Sequence, residues 1–324
     1  MIPMRTSFCI ALLSLSCALP AAHAGRLMER RAVELQDDDT SGAATRLPAG
    51  VTLRRDVPYG DDRLQRMDVY IPAQAKNAPV IVMVHGGGWR RGDKAMRSVV
   101  ENKLARWTAN GFIFISVNYR MLPQAEPAQQ ADDVAKALAS AQAQAASWGA
   151  DPSAFLLMGH SAGAHLVALL SADPSRAFRQ GAKPWLGTVA LDSAALDVVR
   201  IMQGRHMRLY DQAFGGDPSY WKSVSPFHAL SSTAVPLLAV CSSRRTDSCP
   251  QARQFVSAEE RLGVRASVLE QDLSHRQINE ELGLPGAYTS EVEQFMHSLG
   301  LPVVANATSL PARAPVRRRF LRKE

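Results

Sequence analysis

Cysteine is scarce in this chain. Its 324 residues hold four, too few for a disulfide-dense scaffold. No paired C-x-x-C and no H-E-x-x-H occurs, so no metal site is expected. The sequence also lacks an apolar run of the roughly 18–20 residues that a bilayer span needs. No integral membrane segment is therefore expected beyond an N-terminal leader. Excess charge is missing from the body of the chain as well. The formal net charge is +7, but Arg5 and the tail of residues 309–324 supply nearly all of it. That tail carries Arg313, Arg317, Arg318, Arg319, Arg322 and Lys323 against Glu324. A near-neutral body gives no support to a nucleic-acid-binding domain. Apolar residues make up 46% and charged residues 21%, which excludes global disorder and a collagen-like fibre.

The ends have their own chemistry. Residues 1–24 read as an export signal: Arg5, then an apolar stretch from Phe8 to Leu19, then the small-x-small site Ala22-His23-Ala24. Cleavage is expected between Ala24 and Gly25, giving a secreted or periplasmic protein. Cys17 has Ser14 three places before it, so no lipid anchor is expected. Cys9 and Cys17 leave with the leader. Cys241 and Cys249 then remain, and in an oxidising compartment they are expected to form a disulfide. The alternative is one buried and one free thiol. Residues 25–50 are polar and aperiodic and read as a flexible segment. Residues 301–324 read as a disordered basic tail, which leaves 51–300 as the folded domain.

Val51–Pro58 and Gln65–Ile71 alternate in polarity around Gly60-Asp61-Asp62, which predicts a hairpin. Continuous apolar runs follow at Pro79–Val84, Phe112–Val117, Phe155–Met158, Val189–Leu191 and Pro236–Val240. They suit strands buried on both faces of a parallel sheet. Helical stretches lie between them at Met96–Ala109, Ala128–Ser147, Ala162–Ser171 and Gln251–Leu262. Strand alternating with helix predicts a doubly wound, mostly parallel α/β sheet. Its ligands would sit at the carboxyl ends of the strands.

Two such ends carry chemistry. The run ending at Met158 enters Gly159-His160-Ser161-Ala162-Gly163 and then a helix. G-x-S-x-G at a strand–turn–helix junction marks Ser161 as a nucleophile on a strained turn, between glycines where strand and helix pass closely. The run Val80–Val84 ends in His85-Gly86-Gly87-Gly88-Trp89. Glycines there bare their N–H groups. Those of Gly87 and Gly88, with that of Ala162, can converge on one oxygen as an oxyanion hole. A phosphate cradle would want G-x-x-x-x-G-K-[ST], which is absent.

H-G-G-G-W, then Asn118-Tyr119-Arg120, then G-H-S-A-G resembles the α/β-hydrolase fold. The order and spacing are similar to the hormone-sensitive-lipase-like and acetyl- or feruloyl-esterase-like carboxylesterases of bacteria, over about Val51–Leu299. The resemblance implies hydrolysis of small esters by a Ser–Asp/Glu–His triad, without a cofactor. It implies support of the oxyanion loop by His85, Gly86 and Trp89. It also implies a small helical cap at about 193–232 that lines the substrate pocket; ordinary packing of a helical insertion is the other reading. The base falls on His275, after the strand Ala266–Leu269. His165 is expected to be packed, and His206, His228 and His297 to be solvated or capping. The acid falls on Asp247, the carboxylate in the loop after Leu237–Cys241, with Asp192 and Asp272 as competitors. A Cys241–Cys249 bridge would clip that loop to its strand. An arylformamidase-like amide hydrolase and an inactive hydrolase-fold binding protein are the competing functions.

Overall fold

The computed structural model describes residues 46–193 and 195–302. The export signal at 1–24, nearly all of the 25–50 segment and the basic tail lie outside the described residues.

Strand β1 (Val51–Pro58) pairs antiparallel with β2 (Arg66–Pro72). The turn between them is the one the sequence marks, and Arg66 closes it by donating to the Gly60 and Asp62 carbonyls at 2.8 Å each. Six further strands follow: β3 (Ala78–Val84), β4 (Ile113–Val117), β5 (Ala150–His160), β6 (Gly187–Leu191), β7 (Leu237–Ser242) and β8 (Ala266–Gln271). All eight lie in one sheet in the order β1-β2-β4-β3-β5-β6-β7-β8. From β4 onward every neighbour is parallel. Parallel strands need crossovers, and the crossover helices cover both faces.

Period-two alternation divides each central strand between two cores. Val80, Val82 and Val84 face one side, with Val134 and Leu138 of helix α2 (Pro127–Gln144) and Leu166 and Leu170 of α3 (Ala162–Ala172). Ile81 and Met83 face the other. There they meet Leu104 and Trp107 of α1 (Arg97–Thr108) and Val292 and Met296 of the last described helix, Ala287–Ser298. Each such side chain contributes about 1.5–3 kcal/mol relative to exposure. The continuous apolar runs are thus a two-faced burial requirement.

Between β6 and β7 stand four short helices: Val198–Gln203, Arg208–Phe214, Pro218–Ser223 and Pro226–Ala229. Asp197 and Asp217 begin two of them by accepting the backbone N–H groups of Arg200 and Ser219. This insertion does two jobs. Phe214 and Val224 are buried in the main core, whereas Leu209, Tyr210 and Gln212 line the cavity above Ser161.

Candidate active site

Strand β5 ends at His160 and α3 starts at Ala162, so Ser161 alone makes the turn. Its φ is 55° and its ψ −117°, where a residue with a Cβ is strained. The missing side chains around it permit this. A Cβ on Gly159 would fall 2.4 Å from the Gly163 carbonyl oxygen, and one on Gly163 2.3 Å from that of Val84. A Cβ on Gly86 would fall 2.9 Å from that of Ser161. The glycines are where three stretches of main chain touch.

The loop after β3 folds back toward the same turn. Gly87 and Gly88 have φ of 112° and 59°, and the Gly87 carbonyl accepts from Arg90 and Arg91 at 3.2 Å. His85, fully buried, donates from Nδ1 to the Gly86 carbonyl at 2.7 Å and stacks on Tyr119 with ring centroids 4.5 Å apart. The Tyr119 hydroxyl donates to the His85 carbonyl at 3.1 Å. Trp89 donates from its indole to His165 Nδ1 at 3.2 Å, and its carbonyl accepts from the Gln130 amide at 2.9 Å. His165 donates onward to the Val224 carbonyl at 2.7 Å; burial holds it neutral, down to about 4.

The Asn118-Tyr119-Arg120 motif braces this loop from the next strand. The Asn118 side chain accepts from the Lys94 N–H at 2.6 Å and donates to Asp93 at 2.8 Å. Arg120 grips buried Asp133 of α2 with two parallel bonds of 2.7 and 2.8 Å.

His275 opens helix Ser274-capped His275–Glu280 just beyond β8. Its Nδ1 lies 2.6 Å from Asp192 Oδ2. The partner of His275 is therefore Asp192, and the expectation of Asp247 is corrected. Asp247 precedes helix Ser248–Arg261, is 43% exposed at its side chain and faces Arg245 Nε at 3.4 Å. Its backbone is already turning into that helix, which aims the carboxylate outward. Asp272 is spent on Arg244 at the surface. Asp192 follows β6 directly, with φ of 54°, and that left-handed conformation turns its side chain over β7. Oδ1 accepts from the Ser242 N–H at 2.8 Å and from the Ser248 hydroxyl. Oδ2 accepts from His275 and from Arg245 Nη1, the latter at 2.9 Å. Burial alone would raise this carboxyl. The Arg245 charge and the bonds from His275 and Ser248 outweigh burial and hold it well below the usual carboxylate range.

His160 joins the same cluster. Its ring centroid is 4.5 Å from that of His275, and its Nε2 donates to the His275 carbonyl at 3.0 Å. Burial, then the neighbouring His275, push His160 well below its ordinary value, so it serves as a neutral donor. His275 Nε2 is buried and has no hydrogen-bond partner among the described residues. Ser161, Ala162, Gly87, Gly88 and Asp192 line one cavity of about 330 Å³. Sequence reasoning missed His160, Arg245 and Ser248; the only sequence trace of the last two is their place beside the expected acid.

Cys241 and Cys249 form a disulfide, with Cα atoms 5.1 Å apart, that links β7 to the following helix. His206 and His228 do not line this cavity: His206 bonds Gly204 and Asp211, and His228 bonds Ser225. Among the described residues no three His, Cys, Asp or Glu side chains gather as a metal site, and no helix is long and apolar enough to cross a membrane.

A mostly parallel eight-stranded sheet with a serine on the turn after its fifth strand defines an α/β hydrolase. Within that class the chain belongs to the BD-FAE family, which its residues 67–244 match over more than half its length. Among curated relatives it is 28% identical over 219 residues to Esterase LipC of Mycobacterium tuberculosis, covering 63% of this chain and 54% of the relative. It is 36% identical over 115 residues to a probable isoprenylcysteine alpha-carbonyl methylesterase ICME of Oryza sativa, covering 35% and 27%. The chain thus spans about half the length of the first relative and about a quarter of the second. Two of the solved structures that share its fold are esterases by name. Esterase B of Lactobacillus rhamnosis superposes with a TM-score of 0.63 at 18% identity, covering 86% of this chain and 93% of that one. A truncated carbohydrate esterase from gut microbiota gives 0.67 at 17%, covering 79% and 99%.

Proposed function

We propose that this chain is a serine carboxylesterase acting on small or short-chain esters. The observation that carries the reading is the pairing of Asp192 with His275 beside a serine held at φ 55°. Family membership and the printed names of its relatives, esterases and methylesterases, point the same way. Ser161 Oγ attacks the ester carbonyl carbon, and its proton passes to His275 Nε2. Asp192 fixes the proton on Nδ1 and stabilises the imidazolium. The N–H groups of Gly87, Gly88 and Ala162 receive the oxyanion; the last is one of the unpaired donors that begin every helix. His275 then protonates the departing alcohol, leaving an acyl-Ser161 ester. Water, deprotonated by the same histidine, cleaves it and restores the serine.

Export through the 1–24 signal belongs to this proposal. The Cys241–Cys249 bridge supports it, because such bridges persist in oxidising compartments. Turnover of a short-chain 4-nitrophenyl ester, with single labelling of Ser161 by an organophosphate, tests the reading. Labelling of another serine, or turnover of N-formylkynurenine but of no ester, would overturn it.

A further inference from the structure

The cavity above Ser161 is unevenly charged. Arg90, Arg91 and Arg245 line it, against a single lining carboxylate, Asp192. Asp192 is already committed to His275 and Arg245. Arg90 donates to the neutral amide of Gln212, and Arg91 has no side-chain partner among the described residues. Both residues are exposed as well as lining the cavity. Beyond Tyr210 a second hollow of about 200 Å³ continues the pattern, with Arg200 and Arg205 on its wall. Its one carboxylate, Asp247, faces Arg245.

From this excess we infer that the cleft selects esters that themselves carry a carboxylate; the inference rests on the esterase reading. A guanidinium is a planar fork that meets a carboxylate with two parallel N–H···O bonds. Arg90 and Arg91 follow the oxyanion glycines in the chain, and their own N–H groups tie back to Gly87. A carboxylate held there stands a few bonds from the reacting carbonyl. A neutral ester gains nothing from these groups. A cationic ester meets like charge in a cleft whose walls focus the field.

The test uses matched ester pairs that differ only in charge. Mono-4-nitrophenyl glutarate against 4-nitrophenyl pentanoate places the carboxylate in the acyl part. 4-Carboxyphenyl acetate against 4-carbamoylphenyl acetate places it in the alcohol part. In at least one pair, kcat/KM for the anionic member should exceed that of the neutral one by about fivefold or more at low ionic strength, the scale of one or two exposed ion pairs. That advantage should shrink in ~0.5 M salt, where the screening length is a few ångströms. The double variant Arg90→Gln/Arg91→Gln should bring the anionic-to-neutral ratio close to one, with its melting midpoint serving as the control for folding. Equal or slower turnover of the anionic member in both pairs overturns the inference, as does a preference that survives the double variant. Turnover of none of the four esters removes the esterase reading and the inference with it.

Discussion

Asp192→Asn is the sharpest probe of the site, because the carboxylate it removes has two separate duties. Oδ1 holds the Ser242 N–H and the Ser248 hydroxyl, and Oδ2 holds His275 Nδ1 and Arg245 Nη1. An asparagine has one oxygen. Turned toward Ser242 and Ser248, it presents an amide N–H to His275 and favours the wrong imidazole tautomer. Turned the other way, it faces the Ser242 N–H with a second donor. Either way kcat should fall by about 10³–10⁴, or roughly 4–5.5 kcal/mol of transition-state stabilisation. Folding should weaken too, by less than the ~3–5 kcal/mol of a buried ion pair broken outright, because Arg245 keeps Asp247 at 3.4 Å and the main-chain carbonyl of position 192 at 3.2 Å. The assay is therefore initial-rate hydrolysis of 4-nitrophenyl acetate well below the melting midpoint of the variant, with circular dichroism confirming the folded state. Asp247→Asn is the comparison. Its carboxylate is 43% exposed and lies 3.4 Å from Arg245, so its rate should stay within about threefold and its stability within ~1 kcal/mol. A crippled Asp247→Asn beside an Asp192→Asn that keeps more than about a tenth of the rate would refute the assignment.

Ser161→Ala should abolish organophosphate labelling and lower kcat by at least about 10⁴, read by intact mass and by rate. His160→Phe keeps the ring contact but loses the bond to the His275 carbonyl, so kcat should fall about tenfold with KM little changed; an unchanged kcat would reduce His160 to packing. Native, unreduced mature protein should show no titratable thiol, and Cys249→Ser should cost about 2–3 kcal/mol from loop closure alone. Its kcat should drop as well, since the bridged loop carries Arg245 and Ser248, two of the groups that hold Asp192. Glu259 is fully buried with both carboxyl oxygens unpartnered, and burial raises it from 4.5 to about 8. The folded state then binds the extra proton, so stability should fall as pH rises from about 4.5 to about 8 and level off above. Urea midpoints across that range should decline more steeply for the native chain than for Glu259→Gln, and parallel slopes would count against this account.

The strands were legible because two-faced burial leaves a plain signature. Val51–Pro58 coincides with its expected bounds, and Ala162–Ala172 departs by one residue. The longest discrepancy is β5, which begins at Ala150 where Phe155 was expected, since its polar Asp151-Pro152-Ser153 start has no apolar pattern to read. Ser161 was legible because its turn demands glycine at fixed offsets. The acid was not, for a geometric reason. β6 and β7 are adjacent, with Leu191 opposite Val240, so their carboxyl ends stand about 4.8 Å apart. A side chain at either end reaches the same imidazole. Sequence order cannot choose between them; the choice is made by Asp192 turning left-handed and by the next helix starting at Ser248, which points Asp247 away.

The contacts at Gly159 and Gly163 are backbone against backbone, with no side chain between that could yield, and Gly86 sits against the Cβ of Ser161 itself. The serine turn, the end of β3 and the glycine loop are therefore seated on one another like parts cut from a single block. A thermal displacement of one carries the others along. Their separation then fluctuates less than any of their positions, and separation is the quantity on which the proposed attack and oxyanion capture both depend.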